Sequence, residues 1–157
     1  MTNNISVLIV LAGLLHACGP KPIQPTAIVN GVPNSYVLQP AMVTDTTPND
    51  TDDPAIWINP TDPSKSLVIG TDKGDSTGGL FVFGLDGKLD KSRSITNMKR
   101  PNNVDIEYGF QFMGKKIDIA VCTERGKQMI RVFSLPDMKA IDNGGIPVFE
   151  GDTLRDA

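Results

Sequence analysis

The sequence predicts an all-β fold and, within that class, a β-propeller. The chain has 15 Gly and 12 Pro among 157 residues. They interrupt it at short intervals, with β-branched and aromatic residues between them and few signals for helices. A unit of about 50 residues also recurs, close to the length of one four-stranded propeller blade. A β-sandwich with two similar hairpins is the alternative.

The repeat rests on three blocks that recur in the same order along the chain. The paired blocks are DDPAI and NNVDI (52–56 and 102–106), IGTDKG and VCTERG (69–74 and 121–126), and LFVFGL and IRVFSL (80–85 and 130–135). Within each unit the pattern predicts strand, turn, strand, turn, strand. Propellers close with about four to eight blades, and about two blades are present here. The chain is therefore expected to be an N-terminal portion of a longer propeller, and assembly with other copies is the alternative.

The N-terminal part predicts export. Residues 5–17 are mostly apolar, too short to span a bilayer and typical of a signal-peptide core. They end in Leu-His-Ala-Cys, which resembles a lipoprotein signal with cleavage before Cys18 and lipidation of that residue. Residues 1–17 are thus the predicted signal peptide, 18–39 a Pro-rich tether and 40–157 a partial propeller domain. The protein is expected to be anchored to a bacterial membrane, periplasmic or at the cell surface. A plain secretory signal is the alternative.

Charge and composition exclude several kinds of partner and mechanism. The net charge is −3 and the pI is about 5.0, which argues against nucleic acid or a lipid surface held by long-range attraction. Contact with a membrane is therefore expected only through the lipid anchor. The only histidine, His16, lies in the predicted signal, which removes histidine bases and histidine zinc ligands from the mature domain. An anionic ligand would need local Lys or Arg residues, or bound cations.

Three carboxylates crowd together before the apolar run that carries the only tryptophan: Asp50, Asp52 and Asp53. The stretch is not an EF-hand, because Ala55 and Thr61 stand where that loop needs Gly and Glu. Asp oxygens with backbone carbonyls still suit a hard cation such as Ca²⁺. An Asx-turn that enters a strand explains the same residues. Both interpretations stay open at this point.

Lys73 and Arg125 occupy the same position of the two repeat units. Equivalent positions of adjacent blades lie around a common axis, so the two cations are expected to point to one region and to bind an anion such as phosphate. The alternative is a surface ion pair of each cation with its neighbour, Asp72 or Glu124. Asp105 is a charge inside an apolar run and is expected to need a partner.

These motifs resemble the β-propeller phytases, the alkaline calcium-dependent phytases of bacteria. DDPAIW and NNVD match the two signature motifs of that family in order and spacing, and the similarity runs from about Thr44 to Phe149. The resemblance implies a six-bladed propeller that hydrolyses phytate, myo-inositol hexakisphosphate, as a 3-phytase-type phosphoric monoester hydrolase. It also implies Ca²⁺ as the cofactor and a metal-activated water as the attacking group.

The resemblance assigns metal-binding roles within the two signature motifs. Asp52 resembles the catalytic carboxylate that helps to hold the active-site calcium. Asp53, with the carbonyls of Pro54 and Val104, resembles a stabilising calcium site. The remaining calcium-binding acids of the family lie in later blades. The chain by itself is therefore expected to have little or no phytase activity.

Lys73 and Arg125 resemble the family's side chains that contact the substrate phosphates, in agreement with the expectation from the repeat. A different class of function stays open beside the enzyme. In that alternative the protein is a non-catalytic propeller lipoprotein that binds calcium or phosphate.

Overall fold

The protein is described by a computed structural model that covers residues 39–148, and a compact unit begins at Pro40. The strands are β1 (Thr51–Trp57), β2 (Leu67–Asp72), β3 (Gly78–Phe83), β4 (Ile95–Met98), β5 (Pro101–Phe112), β6 (Lys115–Glu124), β7 (Met129–Leu135), β8 (Lys139–Ala140) and β9 (Ile146–Pro147). Two 3₁₀ helices, Pro63–Lys65 and Arg125–Lys127, complete the described elements. The predicted signal peptide and Cys18 lie outside these residues. None of the described helices is long and apolar enough to cross a membrane.

The strands form two antiparallel sheets, and each sheet corresponds to one repeat unit. The first has the order β1-β2-β3-β4, and the second has the order β5-β6-β7-β8 with β9 also paired to β7. Each is a meander of neighbouring strands, as in a propeller blade. The predicted all-β class and its two blade-like units are confirmed. The pattern missed β4, β8 and β9 because these strands are only two to four residues long.

The first strand of each sheet carries a β-bulge at the same place. The pairing register shifts between Thr51 and Pro54 in β1, and between Pro101 and Val104 in β5. Both are edge strands of their sheets, where a proline without an N–H group is tolerated. Because a bulge changes the direction of the side chains that follow it, the signature motifs DDPAI and NNVDI have their shape from the same backbone irregularity.

The core is one apolar cluster to which both sheets contribute. Its members from the two repeats are Trp57, Leu67, Ile69, Leu80, Val82 and Met98, and Val104, Ala120, Cys122, Phe133, Leu135 and Met138. Burial of this kind contributes about 25 cal/mol for each Å² of apolar surface removed from water. Cys122 is part of this cluster, and burial raises the pKa of its thiol to about 12. It is therefore a small apolar side chain here and not a reactive thiol.

Polar contacts also join the two sheets. The fully buried Thr71 hydroxyl donates to the Asn102 carbonyl at 2.8 Å and accepts the Asp53 N–H at 2.9 Å. The Trp57 indole donates to a carboxylate oxygen of Asp118 at 2.9 Å. These bonds give the apolar contact between the sheets a defined register.

The two repeat units share three hydrogen bonds at equivalent positions. Each is a bond from a backbone N–H to a strand-end side chain or to a carbonyl before the first strand. The pairs are Asn49–Asp72 and Lys99–Glu124, Asp53–Thr71 and Asn103–Thr123, and Lys73–Asp50 and Arg125–Arg100. The sequence repeat is therefore a repeat of contacts as well as of strands.

The threonine at the joint between the sheets supports a prediction about stability. Thr71→Val keeps the shape of the side chain but removes the partner of the Asp53 N–H and of the Asn102 carbonyl. We expect the free energy of unfolding to fall by about 1–3 kcal/mol, measured by chemical denaturation.

Thr123 is the matched control, because it occupies the equivalent position of the second sheet and is exposed. Within residues 39–148 its hydroxyl accepts only the Asn103 N–H, at 3.2 Å. Thr123→Val is expected to change the free energy of unfolding by no more than about 0.5 kcal/mol. Equal losses in the two variants would show that the Thr71 bond to Asn102 does not hold the sheets together.

Candidate functional site

A buried carboxylate ends the second strand of the first sheet. Asp72 is fully buried and accepts the backbone N–H groups of Asn49 at 2.8 Å, Asp50 at 3.3 Å and Gly74 at 3.1 Å. The Asn49 side-chain amide donates to it as well, at 3.0 Å. Burial acts to raise the pKa of Asp72, but these hydrogen bonds outweigh it and hold the pKa below its ordinary value. Asp72 therefore fixes the segment before β1 and the turn after β2.

Glu124 is the corresponding buried carboxylate at the end of the second strand of the second sheet, and it also pairs with two basic side chains. It is fully buried, accepts the Lys99 N–H at 2.9 Å and forms ion pairs with Lys127 at 2.8 Å and Arg131 at 3.0 Å. Burial acts to raise its pKa, and Lys127, the Lys99 N–H and Arg131 lower it below the ordinary value. Arg131 also pairs with Asp142 at 2.7 Å. This network was not predicted from the sequence, although an Arg inside the apolar strand IRVFSL was a signal for it.

The alternative of simple neighbour pairs for the two repeated cations is therefore wrong. Asp72 and Glu124 are turned inward to backbone N–H groups and to other cations, so neither pairs with the basic residue that follows it. The reason is that each carboxylate ends its strand and is held by donors from the segment before its own sheet, whereas the cation that follows lies beyond the strand end.

Lys73 instead pairs with the acidic cluster before and within β1. Its ammonium lies 3.0 Å from a carboxylate oxygen of Asp52 and 3.6 Å from one of Asp50. The hydrogen bond to Asp52, then the charges of Asp50 and Asp52, raise the pKa of Lys73 above its usual range. The structure thus brings together two of the crowded acids with one of the repeated cations.

Arg125 lies at the corresponding end of the second sheet. Its N–H donates to the Arg100 carbonyl at 3.1 Å, and the Arg100 N–H donates to the Gly74 carbonyl at 3.0 Å. Arg100 therefore connects the turn that contains Arg125 to the turn directly after Lys73. Within residues 39–148, the half-buried Arg125 guanidinium makes no hydrogen bond or ion pair. Arg100 was not predicted as a site residue, although its position directly before the PNNVD motif was a signal for it.

Asp53 and Val104 are also brought into contact. An Asp53 carboxylate oxygen accepts the Val104 N–H at 3.1 Å, across the two sheets. Pro54 lies in β1, exposed, and is paired with Gly70. The residues of the predicted stabilising calcium site are therefore neighbours, and Asp53 already links the sheets through a hydrogen bond.

The carboxylates in the described part of the chain could supply only part of a metal shell. Among residues 39–148, no group of three or more His, Cys, Asp and Glu side chains converges in a way that could hold a metal ion. Asp50 and Asp52 do converge on one positive charge, the Lys73 ammonium. Carboxylate oxygens are the ligands that Ca²⁺ prefers, so this pair fits the part of a calcium shell that two residues can provide.

Comparison with known proteins identifies the family. A family model with the description Phytase matches residues 7–148. The chain belongs to the phytase family. The resemblance seen in the sequence motifs is thereby confirmed.

A characterised relative of this phytase-family chain is the 3-phytase of Bacillus subtilis (strain 168). The two are 43% identical over 86 residues, which are 54% of this chain and 21% of the relative. The chain thus spans about a fifth of the length of that relative.

The premise that Asp105 is a charge enclosed in an apolar run, and therefore needs a partner, is wrong. Asp105 is exposed and accepts the N–H of its neighbour Ile106 at 2.8 Å. It lies at an open groove of about 380 Å³ on the second sheet, lined by Asn103, Val104, Asp105, Ile106, Glu107, Val121, Cys122, Thr123 and Ile130. The alternation that looked apolar in sequence places this charge on the side that faces the groove. The groove includes neither Lys73 nor Arg125, so it is separate from the repeated cations.

The hydrogen bonds to Asp72 lead to a prediction about acid stability. Because its folded-state pKa lies below the ordinary value of 3.8, its contribution is present above that pH and is lost as the pH falls through the folded-state pKa. Asp72→Asn is expected to lower the free energy of unfolding at pH 7 by about 2 kcal/mol, and to remove this part of the pH dependence. Denaturant titrations between neutral and acid pH measure both effects.

Asp75→Asn is the control, since the Asp75 side chain is 87% exposed. It is expected to leave the free energy of unfolding at neutral pH within about 0.5 kcal/mol of the parent. An Asp72→Asn variant with the parent's acid dependence would contradict the role given to this carboxylate.

Proposed function

We propose that the protein acts as a calcium-dependent phytase that releases phosphate from phytate, and that the described residues form one side of its active site. The support is membership of the phytase family and the name of its relative, a 3-phytase. The match covers about a fifth of that relative, and in the proposed function a longer propeller of this family would add further blades and acidic residues to the site.

The observation that carries this proposal is the shared geometry of Lys73 and Arg125. Each follows a buried strand-end carboxylate, and each donates its backbone N–H to the carbonyl of the residue before the first strand, at 2.9 Å and 3.1 Å. Two cations held at equivalent edges, and joined through Arg100, suit a substrate that carries several phosphates. A single surface ion pair would not explain the repetition.

Calcium would enter this site through the first signature motif. Asp52 and Asp50 already face a positive charge, so their carboxylates are placed to share a cation. When bound, Ca²⁺ would neutralise phosphate oxygens and make water a better attacking group. The residues of this chain would hold that cation at Asp52, and orient the substrate through Lys73 and Arg125.

Asp53 would hold a second, stabilising cation together with the carbonyls of Pro54 and Val104. Its contact with the Val104 N–H places the carboxylate where the two sheets meet. A cation there would tie the signature motifs together, so its effect is expected in stability and not in substrate binding.

The second candidate is a non-catalytic module that binds calcium or phosphate. It is favoured by the small number of carboxylates at the site: within residues 39–148 only Asp50 and Asp52 converge on the Lys73 ammonium, and no group of three or more possible metal ligands is present. Phosphate release distinguishes the two candidates. A non-catalytic module would bind phytate and Ca²⁺ but would release no phosphate, even in a longer form of the protein.

Phytate binding tests the proposed function directly. Lys73→Met and Arg125→Met are each expected to weaken binding of phytate to the 157-residue chain by about tenfold with Ca²⁺ present, because a charge-assisted bond to phosphate is lost. Isothermal titration calorimetry measures the dissociation constants. Lys88→Met is the control, because Lys88 is an exposed cation paired with Asp45 at 3.1 Å and should leave binding unchanged.

A phosphate-release assay accompanies these titrations. The chain alone is expected to release little or no phosphate, because the site would lack its other acidic residues. Rapid release by this chain would contradict the incomplete site, and absence of phytate binding to the parent chain would contradict the proposed function itself.

Calcium affinity is expected to change in opposite directions when Asp52 and its ion-pair partner Lys73 are replaced. Asp52→Asn is expected to weaken Ca²⁺ binding by about tenfold, because ligand charge sets affinity. Lys73→Met is expected to strengthen it by about twofold to fivefold, because the competing ammonium of an exposed ion pair is removed. Calorimetry with Ca²⁺ alone measures both, again with Lys88→Met as the control. Weaker binding in Lys73→Met would show that this ammonium does not compete with calcium.

A further inference from the structure

The two equivalent edges of the sheets carry opposite charges. In the first sheet Asp50 and Asp52 surround Lys73. The corresponding residues of the second repeat are Arg100, Asn102 and Arg125. The backbone bond is retained, since Lys73 donates to the Asp50 carbonyl and Arg125 donates to the Arg100 carbonyl. The same scaffold therefore places two carboxylates with one cation at one edge, and two cations with a neutral amide at the other.

Arg100 is held by its backbone, which leaves its side chain for binding. Its N–H donates to the Gly74 carbonyl and its carbonyl accepts the Arg125 N–H, at 3.0 Å and 3.1 Å. Its φ of 50° lies in the left-handed region, which non-glycine residues rarely adopt. A strained backbone that is fixed on both sides indicates a defined position for this residue.

The charge of Arg100 is poorly compensated. Its side chain is 42% exposed, and its one ion pair within residues 39–148 is with Asp75, at 3.8 Å. Asp75 is itself 87% exposed, and ion pairs of this kind contribute little. Arg125, the adjacent cation, has no acidic partner among the same residues. Arg100 and Arg125 are linked through their backbones, so this edge carries two positive charges whose one acidic partner within residues 39–148 is the exposed Asp75, and an anion bound at this edge would be attracted to both.

We propose that Arg100 is a further phosphate-binding residue, and that Arg100 and Arg125 together form a subsite for one phosphate group of a polyphosphorylated ligand. The planar guanidinium groups suit bidentate contact with phosphate oxygens. The subsite rests on the proposed function for the identity of the ligand, and on the inverted charge of the second repeat for its location. The Gly74 bond places it next to Lys73, so one ligand with several phosphates would contact both edges.

Titration with Ca²⁺ chelated tests this subsite apart from calcium. Inorganic phosphate and phytate are titrated into the 157-residue chain with EDTA present, and dissociation constants are measured by calorimetry. Arg100→Gln is expected to weaken phytate binding by about tenfold. Asp75→Asn is expected to strengthen it by about twofold, because the weak competing carboxylate is removed. Melting temperatures verify that the variants fold.

Arg93→Gln is the matched control. Arg93 is a similarly exposed arginine of the first repeat, paired with Asp90 at 3.3 Å, and its replacement should leave both dissociation constants unchanged. The Arg100 subsite is overturned if Arg100→Gln binds phytate as tightly as the unsubstituted chain while Arg125→Met binds it more weakly. If neither substitution changes phytate binding, the phosphate-binding role of Arg125 in the proposed function fails as well. An equal loss in Arg93→Gln would show that only the overall charge matters, and would also overturn the subsite.

Discussion

The structure depends on the buried carboxylate that ends the second strand of each sheet. Asp72 and Glu124 are removed from water, and each is stabilised by a backbone N–H from the segment that precedes its own sheet, Asn49 or Lys99. A buried charge without such donors would cost several kcal/mol. The entry segment and the strand-end turn are consequently held together, and the following cation, Lys73 or Arg125, has a defined position.

The buried strand-end carboxylate occurs in both sheets, but the charged residues around it differ. In the first sheet the residue before β1 is Asp50, and in the second it is Arg100, while the backbone bond from the cation to that residue is the same. Backbone contacts therefore set the geometry, and side chains set the sign of the charge that each edge attracts. Under the proposed function, the first edge would hold the cation and the second edge would contact the substrate phosphates, and the two would favour each other because the metal and the phosphates attract.

Much of the fold and some of the candidate site could be predicted from the sequence. The repeat blocks predicted two equivalent units, and each unit forms one antiparallel sheet, with four strands in the first and five in the second. The equivalence of Lys73 and Arg125 followed from the same alignment. The partners of Lys73 and the inward direction of Asp72 could not be predicted in this way, because the bonds to Asp72 come from residues 22 and 23 positions earlier. Asp105 was misjudged for a related reason: the apolar run NNVDIE alternates between the core and the open groove.

The sequence by itself determined the all-β class, the two repeat units, the signature motifs and the membership of the phytase family. These features are carried by strand periodicity, turn residues and motif spacing, which are local. Only the tertiary structure decided that Asp50 joins Asp52 at Lys73, that Glu124 is neutralised by Arg131, and that Arg100 connects the turns of the two sheets. The physical reason is that burial and hydrogen-bond partners arise when distant segments pack. Whether an acidic or basic residue is buried and hydrogen-bonded, or exposed and able to bind a ligand, therefore depends on its neighbours in space.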